Sequence, residues 1–354
     1  MTVDSVPQTA RALRSAPFAW GRFQLGDLLP GLLVCTGIGM GAAWLSSSWG
    51  GPVMVYALCF GIAFHFLSAR RRFAPGIAFA SRSVLRIGVA LLGVRIAWGD
   101  LASLGWTTVA LVVSGVAVTI VLGYRLGRLF RLPPDFAVLC AGSVAICGAS
   151  AALAISAVLP KHQRSERNTL MAVVGVTTLS TVAMVLYPLI VSLLGFDDTA
   201  AGVFIGATVH DVAQVVGAGY TISAEAGDTA TLVKLIRVAC LVPVVVALPY
   251  VVDRGTAPPA DPSGEGRRRP PLLPWFLLGF VLLAGANSLG LVAAGVSGVL
   301  GDVSRWCLVT AVAGLGVKTS LGQLYALGSR PVSALVAQTA MLAVYVGLLL
   351  VVLR

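Results

Sequence analysis

The stretch ATVHDVAQVVGAG, residues 207–219, carries His210, Asp211 and Gln214 inside an otherwise apolar run. Ionisable groups deep in an apolar segment are costly and by default mark an ion or substrate path. An imidazole beside a carboxylate can carry a proton. Low dielectric disfavours the charged carboxylate, while nearby cations and helix dipoles favour it. These opposed influences draw Asp211 towards titration near neutral pH, and His210 is the residue type that titrates there unaided. Two plainer readings compete. Asp211 is also a good N-cap for a following helix, and His210 can be a hydrogen-bonded core histidine. A second stretch, AGSVAICGAS (141–150), offers Ser143, Cys147, Gly148 and Ser150 among small residues. The order small-small-hydroxyl-Val occurs in both stretches, as Ala141-Gly142-Ser143-Val144 and Gly206-Ala207-Thr208-Val209. A backbone break at each would start a second limb there. Its free N–H groups and positive dipole end would hold an anion without a buried arginine. Ser143, Cys147, Gly148, Ser150, Thr208 and Gln214 are therefore the candidate substrate contacts, with His210 and Asp211 as the candidate proton-coupling pair.

Lys234 and Arg237, three residues apart on one helix face, either snorkel to the outer surface or add positive charge near the site. Arg82 and Arg86 allow the same two readings, and Arg86 is counted with Lys234 and Arg237 as supporting charge. His65 reads as interfacial or packed. The six cysteines form no C-x-x-C pair, so neither a disulfide framework nor a metal site is expected. No G-x-S-x-G, H-E-x-x-H or Walker A motif occurs. The chain is read as a non-enzyme without a cofactor.

The elements that must position these residues follow from composition. Hydrophobic residues make up 57% of the 354-residue chain and charged residues 11%, with a mean hydropathy of +0.92. A soluble domain carries about 25% charge, so a soluble enzyme and a disordered chain are both excluded. The apolar runs are continuous and near 20 residues long, which selects membrane helices over an outer-membrane barrel. The net charge of +11 is read as a mark of cytoplasmic loops and not of a nucleic-acid surface. Eleven apolar segments are expected, at 28–47, 52–68, 80–98, 104–123, 135–159, 169–194, 199–222, 231–251, 272–290, 303–317 and 331–352. The polar segment 1–27, which has no signal-peptide core, lies on the cytoplasmic side. Residues 28–352 form one transmembrane domain interrupted by a cytoplasmic loop at 253–271.

Basic residues alternate with the spans until 135–159, which has them at both ends: Arg125, Arg128 and Arg131 before, Lys161, Arg164 and Arg167 after. Segment 199–222 is flanked by Asp197, Asp198, Glu225 and Asp228 instead. Each therefore reads as a re-entrant hairpin or an interrupted helix, one entering from each side. Limbs of about 11 residues would each cross roughly half of a ~30 Å core. Residues 90–105 (ALLGVRIAWGDLASLG) align without gaps on 313–328 (AGLGVKTSLGQLYALG), identical at half of the positions and pairing Arg95 with Lys318. On this topology the copies run oppositely, an inverted repeat of the kind secondary transporters use.

Four motifs in order, GSVAICGASAALAISAVLP, VAMVLYPL, GATVHDVAQVVGAG and KLIRVACLVP, resemble those of the YeiH-like sulfate exporter family over about residues 30–352. Where that family commonly has His-Glu, this chain has His210-Asp211, a carboxylate shorter by one methylene. The resemblance implies a bacterial inner-membrane, multi-pass transporter of a small anion such as sulfate or an organosulfonate. Combined with the residue reading, it gives an all-α exporter of nine to eleven transmembrane segments with inverted repeats. Its expected partners are the anion, the lipid bilayer, protons or sodium, and a second copy of the chain as a homodimer; no nucleic acid is expected. A cation/proton antiporter, with Asp211 binding the cation, and a channel or membrane sensor are the alternatives.

Overall fold

The computed structural model describes residues 25–95, 99, 104–160, 163–252, 275–319 and 328–353. The expected cytoplasmic segment 1–27, except its last three residues, and the loop 253–271 lie outside them, as does Lys161. The described residues are helical, with no strand among them. Fourteen α-segments are labelled in chain order: α1 (Leu25–Trp49), α2 (Val53–Ala63), α3 (Ala74–Arg95), α4 (Gly105–Leu129), α5 (Pro134–Ala145), α6 (Ala149–Val158), α7 (Ser165–Leu193), α8 (Asp198–Thr208), α9 (Val212–Ile222), α10 (Ala224–Ala239), α11 (Leu241–Val252), α12 (Trp275–Ser288), α13 (Ala294–Lys318) and α14 (Ser329–Leu353). Seven spans are long and apolar enough to cross a bilayer: α1, α3, α4, α7, α10 with α11, α13 and α14. Two shorter apolar helices, α2 and α12, accompany these seven spans among the described residues. The protein is an all-α polytopic membrane protein.

The two interrupted segments fold back on themselves. A side chain at Gly142 on α5 would run into Ile155 Cδ1 on α6. Residues 142 and 155 would stand about 20 Å apart in one straight helix, so these limbs lie side by side. Their outer ends also converge, because Asp135 and Leu139 share a small surface cleft with Ser156 and Leu159. The second segment behaves likewise. Gly202 on α8 and Gly219 on α9 both press on Ala226 of α10, with oxygen approaches of 2.8 and 3.1 Å to a virtual Cβ. Glycine is required at these contacts because backbones or neighbouring side chains occupy the space a Cβ would need.

Helix α7 joins the outer end of the first hairpin to that of the second, so the hairpins enter from opposite ends of a 29-residue helix. Their tips meet near its middle. The N–H groups of His210 and Asp211 donate to Ser180 Oγ at 3.1 and 3.0 Å, and a Cβ on Gly148 would lie 3.5 Å from His210 Cβ. Around the hairpins pack α4, α7, α10 and α14. A second group, α1, α2, α3, α12 and α13, packs together and meets the hairpins mainly through α9.

Several expected boundaries move. Helix α10 starts at Ala224, not 231, because Ser223 Oγ accepts from the Ala226 N–H at 3.0 Å and caps it. Glu225 and Asp228 are thus helical, and Arg95 at the end of α3 reaches Asp228 at 3.8 Å. Helix α13 starts at Ala294, since Gly295, Gly298 and Gly301 lower the apolar signal without stopping the helix. Helix α3 starts at Ala74, with Pro75 in its first turn where proline is tolerated. Helix α2 stops at Ala63 and gives way to a 3-10 turn, His65–Ala69. Of the aligned sequence copies, 90–95 and 313–318 end α3 and α13, and most of the remainder lies outside the described residues. The equivalent glycines Gly93 and Gly316 both sit where another helix backbone approaches closely: Gly93 on Phe280 of α12, Gly316 on Leu58 and Gly61 of α2.

The hairpin geometry is tested by single cysteines at Arg131 and Arg164 in an otherwise cysteine-free protein. Both should react with a membrane-impermeant maleimide from the same side of a sealed vesicle. Labelling from opposite sides would mean that 135–159 crosses the membrane.

Candidate functional site

The first limbs run on a little further than the sequence suggests, and the breaks fall at Ile146–Gly148 and Val209–Asp211. Ser143 and Thr208 therefore lie within helices. Each hydroxyl donates to the carbonyl four residues back, Ser143 to Leu139 at 2.5 Å and Thr208 to Phe204 at 2.6 Å. Gly148 turns the first tip with φ +65° and ψ −119°, a conformation glycine adopts readily and other residues rarely do. A bulky residue there would strain the turn as well as block it.

A helix that ends inside a protein leaves its last carbonyls without partners, and here two such ends face each other. Lys234 and Arg237 of α10 fill the gap. Lys234 Nζ donates to Ile146 O at 2.8 Å and Val209 O at 2.9 Å. The Arg237 guanidinium donates to Val144 O and Ala145 O of the first hairpin, at 2.8 to 3.1 Å. It also donates to Gly206 O and Val209 O of the second, at 3.3 and 3.0 Å. Both cations are essentially inaccessible, at 0% and 1% exposure. They do not snorkel; they close the C-terminal ends of both first limbs, where positive charge also meets the negative ends of two helix dipoles. The remaining tip carbonyls are used locally, with Gly142 O accepting from Ile146 N–H and Ser143 O from Gly148 N–H.

The second limbs begin differently from one another. Asp211 caps α9, its Oδ1 accepting from the Ala213 N–H at 2.8 Å. At the start of α6, Ser150 Oγ donates to Cys147 Sγ at 2.9 Å. Ser150 is exposed and Ala149 half-buried, so this N-terminus faces an accessible surface. His210 is fully buried, with Nε2 2.9 Å from Thr339 Oγ1 of α14. Gln214 is also fully buried, and its Nε2 donates to Thr181 Oγ1 at 2.8 Å and Thr177 O at 3.4 Å. The structure thus gathers Ser143, Cys147, Gly148, Ser150, Thr208, His210, Asp211 and Gln214 at the two tips. Only Ser150 is exposed and only Asp211 partly so. Ser143, Thr208 and Gln214 are fully buried. Among the described residues no group of three or more His, Cys, Asp or Glu is arranged to hold a metal. A hollow of about 440 Å³ lined by Pro133, Asp135, Gln163, Arg164 and Asn168 opens at the outer end of the first hairpin, away from the tips.

Sequence reasoning left Arg82 with two readings and gave Lys318 no part in the site. Arg82 lies in a π-helical turn, Ala80–Val84, within α3, and Lys318 is the last residue of α13. Both are exposed, as is Arg86. Arg82 and Lys318 lie within electrostatic reach of Asp211, and so does Arg86. The one available signal was their presence in apolar segments. His65, read as interfacial or packed, places Nδ1 2.8 Å from Val317 O and is partly buried.

Known proteins agree with this picture of a membrane protein. The family model described as conserved hypothetical protein 698 matches residues 30–335. The chain belongs to this family. It is 51% identical over 322 residues to the UPF0324 membrane protein TauZ of Paracoccus pantotrophus, covering 90% of this chain and 94% of that one. A UPF0324 membrane protein of Chlorobaculum tepidum is 50% identical over 318 residues, covering 90% and 87%. One of Rhizobium meliloti is 46% identical over 344 residues, covering 97% of both chains. No solved structure matches. These relatives are bacterial membrane proteins.

The buried cations give a stability prediction. Arg237→Met leaves carbonyls of both hairpins unpaired in a dry interior. Hydrogen bonds to charged groups are worth about 1.5–3 kcal/mol each, and an orphaned buried acceptor costs about 1–3 kcal/mol. Arg237→Met should therefore lower stability by at least about 3 kcal/mol, read as a lower melting temperature in detergent, with Lys234→Met close behind. Melting temperatures equal to that of the wild type would show that the carbonyls have other partners.

Proposed function

We propose that this protein is a secondary active transporter of a small anion, such as sulfate or an organosulfonate, moved outward across the bacterial inner membrane with proton coupling. The distribution of basic residues supports a cytoplasmic N-terminus. The observation that carries the reading is the meeting of two opposed hairpins near the middle of α7. Non-helical backbone at depth in a membrane is tolerated only where protein or a cavity surrounds it, and transporters build midplane sites from such broken helices. The pairing of Gly93 with Gly316 supports an inverted relation between α2–α3 and α12–α13.

Charge favours an anion over a cation. Lys234, Lys318 and Arg82 all act on Asp211, and each would repel a cation held by that carboxylate. This counts against the cation/proton antiporter. The carboxylate is then the group that exchanges protons, and its capping bond to Ala213 survives replacement by asparagine. His210, inaccessible and bonded to Thr339, positions the tip and has the smaller part in coupling.

In proteoliposomes loaded with sulfate, Asp211→Asn should retain sulfate exchange but lose accumulation driven by a pH gradient alone. His210→Gln should reduce that accumulation less. Gradient-driven accumulation by Asp211→Asn at the wild-type level would reduce Asp211 to a helix cap.

A further inference from the structure

The transport reading leaves open where the substrate's charge is met, and the obvious cations are in the wrong place. Lys234 and Arg237 are inaccessible and committed to backbone carbonyls. A substrate could reach them only by dismantling the tips. Three other cations are not so committed to the core. Arg82, Arg86 and Lys318 are exposed, yet all lie within electrostatic reach of Asp211 at the second tip. Arg82 and Lys318 also lie within reach of each other. They come from two helices that pack closely. A Cβ on Gly314 of α13 would stand 3.2 Å from Ala80 Cβ and 3.3 Å from the Ser81 N–H nitrogen, at the turn that carries Arg82. Helix α13 in turn packs against α9, whose cap is Asp211.

Arg82, Arg86 and Lys318 are exposed and gather about Asp211, where α13 packs on both α3 and α9. Three like charges in an apolar setting are costly, and the π-turn at Ala80–Val84 is a helix irregularity found often at functional sites. Structural charge would be expected to find carboxylate partners, yet among the described residues this wall sets three cations against the one carboxylate of Asp211. The excess is two positive charges.

The geometry points to an anion-binding site divided between the two helical groups, with Arg82, Arg86 and Lys318 on one wall and the Asp211 tip on the other, suited to an anion bearing two negative charges. This rests on the transport reading and deepens it. Asp211 acts there as an internal counter-ion that competes with the substrate for the same cations. Neutralising it frees the wall for the anion.

The test is direct binding of radiolabelled inorganic sulfate to the purified full-length protein in detergent, with methanesulfonate as the monovalent competitor. Arg82→Gln, Arg86→Gln and Lys318→Gln should each weaken sulfate binding at least tenfold. Arg82→Lys and Lys318→Arg, which keep the charge, should restore most of it, and this separates lost charge from a damaged fold. Asp211→Asn should bind sulfate more tightly than the wild type. Arg125→Gln, on the exposed face of α4, should bind as the wild type does. Methanesulfonate should compete at least tenfold less well than unlabelled sulfate. Unchanged binding in all three glutamine variants, equal competition by methanesulfonate, or no sulfate binding by the wild type would overturn the divided site. The transport reading is judged separately by anion flux in proteoliposomes: flux with unaffected glutamine variants sinks the divided site alone, and no anion-dependent flux in the wild type sinks the transporter.

Discussion

Two buried cations bonded to the carbonyl ends of two opposed half-helices hold the centre of this protein together. Without Lys234 and Arg237, the C-termini of α5 and α8 would meet with their negative dipole ends and unpaired carbonyls directed at each other. Each end is equivalent to roughly half a negative charge, so two full positive charges more than balance them. The arrangement resembles a buried salt bridge in which backbone replaces the carboxylates. It demands a donor-rich cation, and the five hydrogen bonds of the Arg237 guanidinium use the fork geometry that distinguishes arginine from lysine.

Once the first limbs are closed in this way, the second limbs start from the same two tips, and the hairpins treat those starts differently. Asp211 fills one with its own carboxylate, while the start of α6 at Ala149 and Ser150 stays accessible. Ser180 ties the backbone of the second tip to the middle of α7, and Thr339 holds the His210 ring from α14.

The hairpins were legible in the sequence because their flanks carry a strong signal: arginines on both sides of one, carboxylates on both sides of the other. Asp211 as a possible cap was legible too, from residue type and position. The role of Lys234 and Arg237 was not, because their carbonyl partners in the first hairpin lie 88 to 93 residues away and backbone acceptors leave no trace in residue identity. Ser143 and Thr208 were read as substrate contacts because a hydroxyl looks the same in sequence whether it faces a ligand or folds back on its own helix. Lys318 and Arg82 stand 236 positions apart in the sequence, and only the packing of α13 on the π-turn of α3 makes them neighbours. The helix starts at Ala224 and Ala294 were missed because a cap at Ser223 and a glycine-spaced first turn carry little hydrophobicity.

Hydrogen exchange at the tips, followed by mass spectrometry in the wild type and in Arg237→Met, tests most directly whether this pair of cations joins the two hairpins. The amides of Gly148, Val209, His210 and Asp211 all donate within the tips or to Ser180 and should exchange slowly in the wild type. Removing Arg237 should speed exchange at both tips together by about a hundredfold, the equivalent of about 3 kcal/mol, while α1 and α12 keep their protection. Loss of protection at one tip alone, or at neither, would contradict a shared cationic joint.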